Sequence, residues 1–512
     1  MKPIIYQVLP RLYYSPSNPT IAGGTLAQNG CGKLRDFTKQ RLQAIRELGT
    51  THIWYTGILD HATRTDFSAY GLPADTDVKG EAGSPYAVRD YYNVAPELAT
   101  DIPHRLHEFE LLVNRTHRAG MGVIIDFVPN HVARHYTGTF HPFTDRNYYP
   151  GHICDGDWTD TAKLNYGDHD TWQKMLDILL FWVARGIDGF RCDMAELVPV
   201  DFWRWAIPQV KAIHPNILFI AEVYQPWRYA EYVHQGGFDY LYDKVGLYDT
   251  LVAILKGRES TSAITRCWQS LGDLGPHMLH FMENHDEQRL ASNFICSDGL
   301  RALPAMIISA LIDTCPVMVY FGQELGEHGM ETEGFSGCDG KTSIFDYAPV
   351  PSICRWLKEN QKDKKPSSPK EISQQFDQKP SELISLYSCL LHFATKEPAI
   401  SDGKFFDLMY VNPASDNFNP HRQYAFLRAT ADSRILVCVN FDDVPRDIRL
   451  RIPSHAFDYL GIPSTIVPLP FSNQPSPSSD IPFSISYLQT PIFPDGELPL
   501  HIPALGGIAL KF

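Results

Sequence analysis

Gly186-Ile-Asp-Gly-Phe-Arg-Cys-Asp193 is the stretch whose reading decides the fold. Before it, Trp172, Met175, Leu176, Leu179, Leu180 and Val183 mark one face of a helix. That helix halts at Gly186, a residue suited to the left-handed turn after a helix. A very short apolar strand follows, with Arg191 and Asp193 at its end. Alternate strand residues share a face. Arg191 and Asp193 therefore point into whatever cavity the strand opens onto, while Cys192 turns the other way and packs. A guanidinium beside a carboxylate favours its ionised form, which a nucleophilic or charge-stabilising Asp requires. Taken alone, the pair is weak evidence, because most Arg/Asp neighbours are ordinary ion pairs.

The unit of helix, glycine and strand recurs along the chain. Phe37, Leu42, Ile45 and Leu48 lead through Gly49 to a strand at His52–Thr56. Leu106, Phe109, Leu112 and Val113 lead through Gly120 to Val123–Asp126. A helix from Asp201 to His214 precedes Ile217–Ala221. Strands at Phe238–Tyr242 and Met278–Met282 follow, then a helix over Ala302–Asp313 and a strand at Pro316–Tyr320. With Ile4–Leu9 at the front, eight strands alternate with helices, which implies a parallel sheet with crossover helices. Eight units over this length predict a closed (β/α)8 TIM barrel. An open doubly wound sheet is the competing fold, but no Gly-x-Gly-x-x-Gly follows the first strand.

The remainder reads as insertions and a second domain. Between Asn130 and Trp172 no strand–helix unit is legible, so residues 131–171 are expected to form a small excursion domain after the third strand. The barrel is then residues 1–130 and 172–396. Lys358–Pro380 reads as an exposed loop, and a helix at Ser381–Ala394 closes the barrel. Beyond it, short alternating strands such as Arg434–Asn440 and Asp447–Ile452, with Pro/Ser clusters as at Ser472–Ser479, predict an all-β sandwich domain over residues 397–512.

Composition narrows the function. The chain has 512 residues, 45 Lys+Arg against 59 Asp+Glu, and a formal charge of −14, which argues against a polyanionic partner such as nucleic acid. The first residues read as a strand rather than a leader, and no apolar run reaches the ~18 residues of a membrane helix. The ten cysteines show no paired spacing and read as free thiols. A cytoplasmic protein is the expectation.

In such a barrel the active site lies where the strands end. Those ends carry Asp126 with Asn130 and His131, Arg191 with Asp193, then Glu222, then Glu283-Asn-His285-Asp286. Carboxylates from three strands converging on one mouth suit retaining glycoside hydrolysis. One attacks the anomeric carbon, while an acid roughly 5–5.5 Å away protonates the leaving oxygen.

These segments, in this order, resemble the four signature regions of the α-amylase family of glycoside hydrolases. Gly83–Tyr91, with Tyr86 and Asp90, and Phe321–Glu324 are also similar to that family. The resemblance implies a nucleophile at Asp193, kept ionised and oriented by Arg191, and a general acid and base at Glu222, whose proton must survive to neutral pH. It implies that Asp286 stabilises the oxocarbenium-like transition state, that His131 and His285 hydrogen-bond the same sugar ring, that Tyr86 stacks beneath it, and that Asp126 orients Arg191. The expected substrate is an α-1,4-linked glucan or maltooligosaccharide. Hydrolysis and transglycosylation both remain open at this point. Weighed beside them are a metal-dependent hydrolase using His131, Asp126, His285 and Asp286, and a non-catalytic glucan-binding homologue.

Many members hold calcium through an Asn of the first region, an Asp of the excursion and a backbone carbonyl after the nucleophile. Here Lys163 occupies the Asp position, in a Lys-Leu-Asn run similar to the neopullulanase and cyclomaltodextrinase branch. An ammonium is a poor neighbour for a divalent cation. The expectation is no metal and no other cofactor, with Lys163 reaching Asn130 or a nearby carbonyl in its place.

Overall fold

Eight parallel strands close on themselves in a computed structural model that describes residues 1–15, 20–136, 143–330, 338–360, 379–464, 466 and 481–512. They are β1 (Ile4–Val8), β2 (His52–Tyr55), β3 (Gly122–Phe127), β4 (Gly189–Cys192), β5 (Leu218–Ala221), β6 (Tyr240–Tyr242), β7 (Met278–Phe281) and β8 (Val317–Tyr320). Each pairs with its neighbours in sequence, and β8 returns to β1 with Ile4 opposite Val317. The strands are those read from the sequence with ends moved by one or two residues: β3 runs one residue longer at each end, and the others are shorter.

Local chemistry explains the units. The helix His169–Val183 starts where the Asp168 side chain accepts the Asp170 N–H, and it buries Met175, Leu176, Leu179 and Val183 against the barrel. The chain then turns through Gly186 at φ +81°, a conformation that favours glycine, and enters β4. Inside the barrel, Ile5, Trp54, Ile124, Ile220, Tyr242, Leu279, Phe281 and Met318 form one apolar cluster. Two residues beyond Ile5, Ile124 and Ile220 stand Gln7, Asp126 and Glu222, and Arg191 lies opposite Asp126 on the neighbouring strand. The period of two thus puts an apolar floor beneath a polar mouth.

Insertions build the walls of that mouth. Leu59–His61 pairs antiparallel with Val88–Val94, a ribbon that positions Tyr86 and that sequence periodicity does not reveal. The buried pair of Arg89 and Asp60, at 2.9 Å, fastens it. In the excursion, His131–Ala133 pairs with Thr161–Lys163, placing His131 opposite Lys163. The following helix begins at His169, three residues ahead of Trp172.

At its C-terminal end the chain carries a five-stranded sheet of Lys404–Asp407, Gln423–Ala429, Arg434–Asn440, Gly506–Lys511 and Phe483–Tyr487, in that order. A two-stranded sheet, Arg446–Arg451 with Glu497–Ile502, lies beside it. This is the β domain the sequence implies, and the short helix Ser454–Leu460 lies between two of its strands. Buried Arg428 ties it to the barrel by donating to the carbonyl of Ile312 at 2.8 Å.

Two loop readings change. Lys358 belongs to a helix, Pro351–Asn360, and Pro380 to the helix Lys379–Lys396, because apolar residues such as Ile353 and Leu357 recur on one face of the first and pack inward. Residues 361–378 between them, like Ser472–Ser479, lie outside the described residues. No two of the ten cysteines are bonded. Among the described residues, no helix is long and apolar enough to cross a membrane.

Candidate active site

Arg191 is fully buried at the centre of the mouth. Its Nη1 lies 2.8 Å from Asp193 Oδ1 and 3.6 Å from Asp126 Oδ1. Its Nη2 lies 2.8 Å from Glu222 Oε2, an ion pair set off the N–H axis rather than an aligned hydrogen bond. Nε donates to Tyr242 Oη at 3.3 Å. Register explains the convergence. Arg191 stands opposite Asp126 on β3 and opposite Ile220 on β5, and Glu222 follows Ile220 on the same face.

Each carboxyl has further partners. Glu222 accepts from the Met194 backbone N–H and from the Tyr224 hydroxyl, both at 2.7 Å. Asp126 accepts from the Trp54 indole at 3.2 Å and from the Gly57 N–H at 3.1 Å. Burial pushes the Asp126 carboxyl up to about 6, against the pull of Arg191. Burial also drives Asp193 well above the usual carboxylate range. Arg191 opposes this, and the charges of Glu222 and Asp126 reinforce it. Arg191 thus does not serve Asp193 alone: one cation is shared among three carboxyls.

His285 links this cluster to the cleft. The Gln7 side-chain amide reaches its Nδ1 at 2.8 Å, which leaves the ring proton on Nε2. Nε2 faces Tyr86 Oη at 2.6 Å and Asp286 Oδ2 at 3.2 Å, and Tyr86 in turn donates to Asp126 at 3.4 Å. Burial and the Arg191 charge lower the His285 pKa to about 3, so the ring is neutral. Burial likewise lowers His131 to about 4. Burial raises Asp286, though its side chain keeps 42% of its surface open, so water in the cleft moderates the effect.

Asp193, Glu222, Asp286, His131, His285 and Tyr86 all line one cavity of about 490 Å³, with Trp158 and Tyr224 on its walls. Every site residue read from the sequence therefore reaches this one mouth, Arg191 and Asp126 from just beneath it. Gln7, Trp54, Tyr224, Tyr242 and Trp158 escaped the sequence reading. A polar Gln7 inside the apolar run Ile-Ile-Tyr-Gln-Val was the available signal for the first.

Lys163 does not reach Asn130 directly. Its Nζ donates to Asp155 Oδ1 at 2.7 Å, and Asn130 donates to the other oxygen of the same carboxylate at 2.8 Å. Burial alone would raise Asp155; hydrogen bonds from Lys163 and Asn130 hold it below its ordinary value. A carboxylate engaged by an ammonium does not fit a calcium cage of six to eight oxygens. Among the described residues, no group of three or more His, Cys, Asp or Glu side chains is arranged to hold a metal ion, the set of His131, Asp126, His285 and Asp286 included.

Fold and mouth together define a (β/α)8 barrel protein with an acid-lined cleft at the carboxyl ends of its strands. The chain belongs to the α-amylase family: the family described as "Alpha amylase, catalytic domain" matches residues 7–156 and 147–382. It is 27% identical over 313 residues to the α-amylase MalA of Haloarcula japonica, covering 57% of this chain and 42% of that protein. It is 24% identical over 268 residues to the intracellular maltogenic amylase of Bacillus subtilis, covering 48% and 44%. The matches thus span less than half the length of these curated relatives. A crystal structure of an α-amylase from Geobacillus thermoleovorans shares the fold, with a TM-score of 0.68 at 17% identity over 100% of this chain and 98% of that one.

Proposed function

We propose that this chain is a retaining glycoside hydrolase acting on α-1,4-linked glucans or maltooligosaccharides. The observation that carries the reading is Arg191, whose two terminal nitrogens each lie 2.8 Å from a different carboxylate, Asp193 and Glu222, beside a cavity that Asp286 also lines. The family supports it, and so do the amylase activities its relatives are named for.

In the first step an oxygen of Asp193 attacks the anomeric carbon as the bond from that carbon to the glycosidic oxygen breaks. Glu222 gives its proton to the departing oxygen, and a glycosyl ester on Asp193 results. In the second step Glu222 takes a proton from water, whose oxygen attacks the same carbon and frees Asp193. A sugar hydroxyl in place of that water gives transfer instead of hydrolysis. The chemistry needs one carboxyl protonated and one ionised, which suits three carboxyls sharing one guanidinium. Asp286 and the neutral His285 and His131 hydrogen-bond the sugar hydroxyls, and Tyr86 offers its ring face. No metal takes part, and nucleic acid is not a partner of so acidic a chain. An intracellular setting accords with unpaired cysteines.

The test is NMR of maltoheptaose digestion. Products released first as the α-anomer, together with a glycosyl ester on Asp193 trapped when the Glu222→Gln protein is given an α-maltosyl fluoride, whose leaving group needs no proton, support the reading. Release of the β-anomer first would sink it, because an inverting enzyme forms no ester.

A further inference from the structure

The cleft ends at a wall made by three side chains from three separate insertions. Lys79 comes from the segment after β2, Asp160 from the excursion after β3, and Phe345 from the segment after β8. Lys79 Nζ lies 3.5 Å from Asp160 Oδ1 and 5.9 Å from the centroid of the Phe345 ring. All three line the catalytic cavity of about 490 Å³. All three also line a second cavity, of about 540 Å³, which continues outward between Thr76, Asp77, Asp157 and Thr159. The two spaces are neighbours separated by this contact.

Asp160 makes the wall more than a steric accident. It is 3% exposed, and among the described residues neither of its carboxylate oxygens has a hydrogen-bond donor. A buried acceptor without a donor is costly, and it gains most from a group that brings one. The hydroxyls of a glucosyl unit are such donors. Lys79, with 24% of its side chain exposed, supplies donors of its own and is tethered by an ion pair in reach of water. Phe345 is held more firmly, since its carbonyl accepts the Ala82 N–H at 3.0 Å.

We infer that Lys79, Asp160 and Phe345 form the end wall of the glucan cleft, binding the hydroxyls of the last glucosyl unit accommodated and setting how many units the cleft takes. The inference rests on the proposed function. It concerns chain length, a property the catalytic residues leave undetermined. Removing the Lys79 side chain joins the two cavities and lets the chain run on into the polar outer one.

Binding without turnover tests this. The Glu222→Gln protein is titrated calorimetrically with maltose through maltoheptaose, alone and combined with Lys79→Ala or with Phe345→Ala. With the wall intact, affinity stops rising at a fixed chain length. In either double variant the rise continues for at least one further unit, by about fivefold per unit. An unchanged limit in both double variants, with binding still measurable, overturns the inference and leaves the proposed function standing. Failure of every protein to bind any of these oligosaccharides removes the proposed function, and this inference falls with it.

Discussion

Arg191 and Glu222 meet at 2.8 Å across two adjacent barrel strands, and the other terminal nitrogen of the same guanidinium meets Asp193 at the same distance. A planar guanidinium spans two acceptors in fixed directions, which the point charge of an ammonium does not. Arg191→Lys therefore keeps the charge and loses the bridge. Steady-state kinetics on maltoheptaose should show kcat/KM lowered by about 100-fold or more, the order expected when a buried charge pair is broken. Full activity in the lysine variant would show that the bridge has no part in the chemistry.

Tyr86 offers its hydroxyl to His285 and Asp126 and its ring to the cleft. Two substitutions separate these roles. Tyr86→Phe removes a hydrogen-bonding group but keeps the ring, and should lower kcat/KM by about 5- to 30-fold, the scale of one hydrogen bond of 1–2 kcal/mol. Tyr86→Ala also removes the stacking face and should cost about tenfold more, with KM rising. Equal losses in the two variants would refute stacking.

How far the sequence reads depends on what each residue's partners are. The eight strands were legible because helix and strand periods alternate and glycines punctuate them, as at Gly186 and Gly120. Asp126, Asp193, Glu222 and Asp286 were legible because a barrel collects strand ends at one mouth. Tyr224, Tyr242 and Trp54 were not, since a lone aromatic in an apolar strand reads as core and only three dimensions show its polar atom reaching Glu222, Arg191 or Asp126. The ribbon of Leu59–His61 with Val88–Val94 is held by the long-range pair Asp60–Arg89, which leaves no periodic trace. The upward push on Asp193 escaped for a related reason: Arg191 lies two residues away in sequence, whereas Glu222 and Asp126, whose charges oppose it, come from other strands.

The strut of Lys163, Asp155 and Asn130 predicts indifference to chelators. Excess EDTA should leave both activity and the thermal midpoint unchanged, and elemental analysis should find no stoichiometric calcium. Lys163→Ala strips Asp155 of its ammonium partner. With both side chains about a quarter exposed, the loss should be modest, about 1 kcal/mol, read as a lower thermal midpoint. Asp155 sits below its ordinary value, so its share of stability is complete above the unfolded pKa and fades as pH falls through the folded one. The variant and the parent should therefore converge at acid pH. One tightly held calcium per chain would contradict this account.

Glu324 carries a pH dependence of the opposite sign. It is buried behind β8, where the Tyr6 hydroxyl donates to Oε1 at 2.7 Å. Burial raises its pKa to about 7, with the Tyr6 hydrogen bond pulling the other way. In the unfolded chain a glutamate titrates near 4.3. The folded state therefore binds this proton more tightly, and the stability it confers is complete below that value. As pH rises through about 7 this stability is lost, up to about 3 kcal/mol in all. Glu324→Gln cannot ionise and still offers Tyr6 an oxygen. Thermal midpoints of the two proteins, followed from pH 5 to pH 8.5, should differ least at the acid end. The glutamine variant should gain on the parent by a few degrees as pH rises, because only the parent must then bury a charge. A constant offset across the range would mean that Glu324 does not change its protonation there, and the carboxyl would have to be assigned another partner.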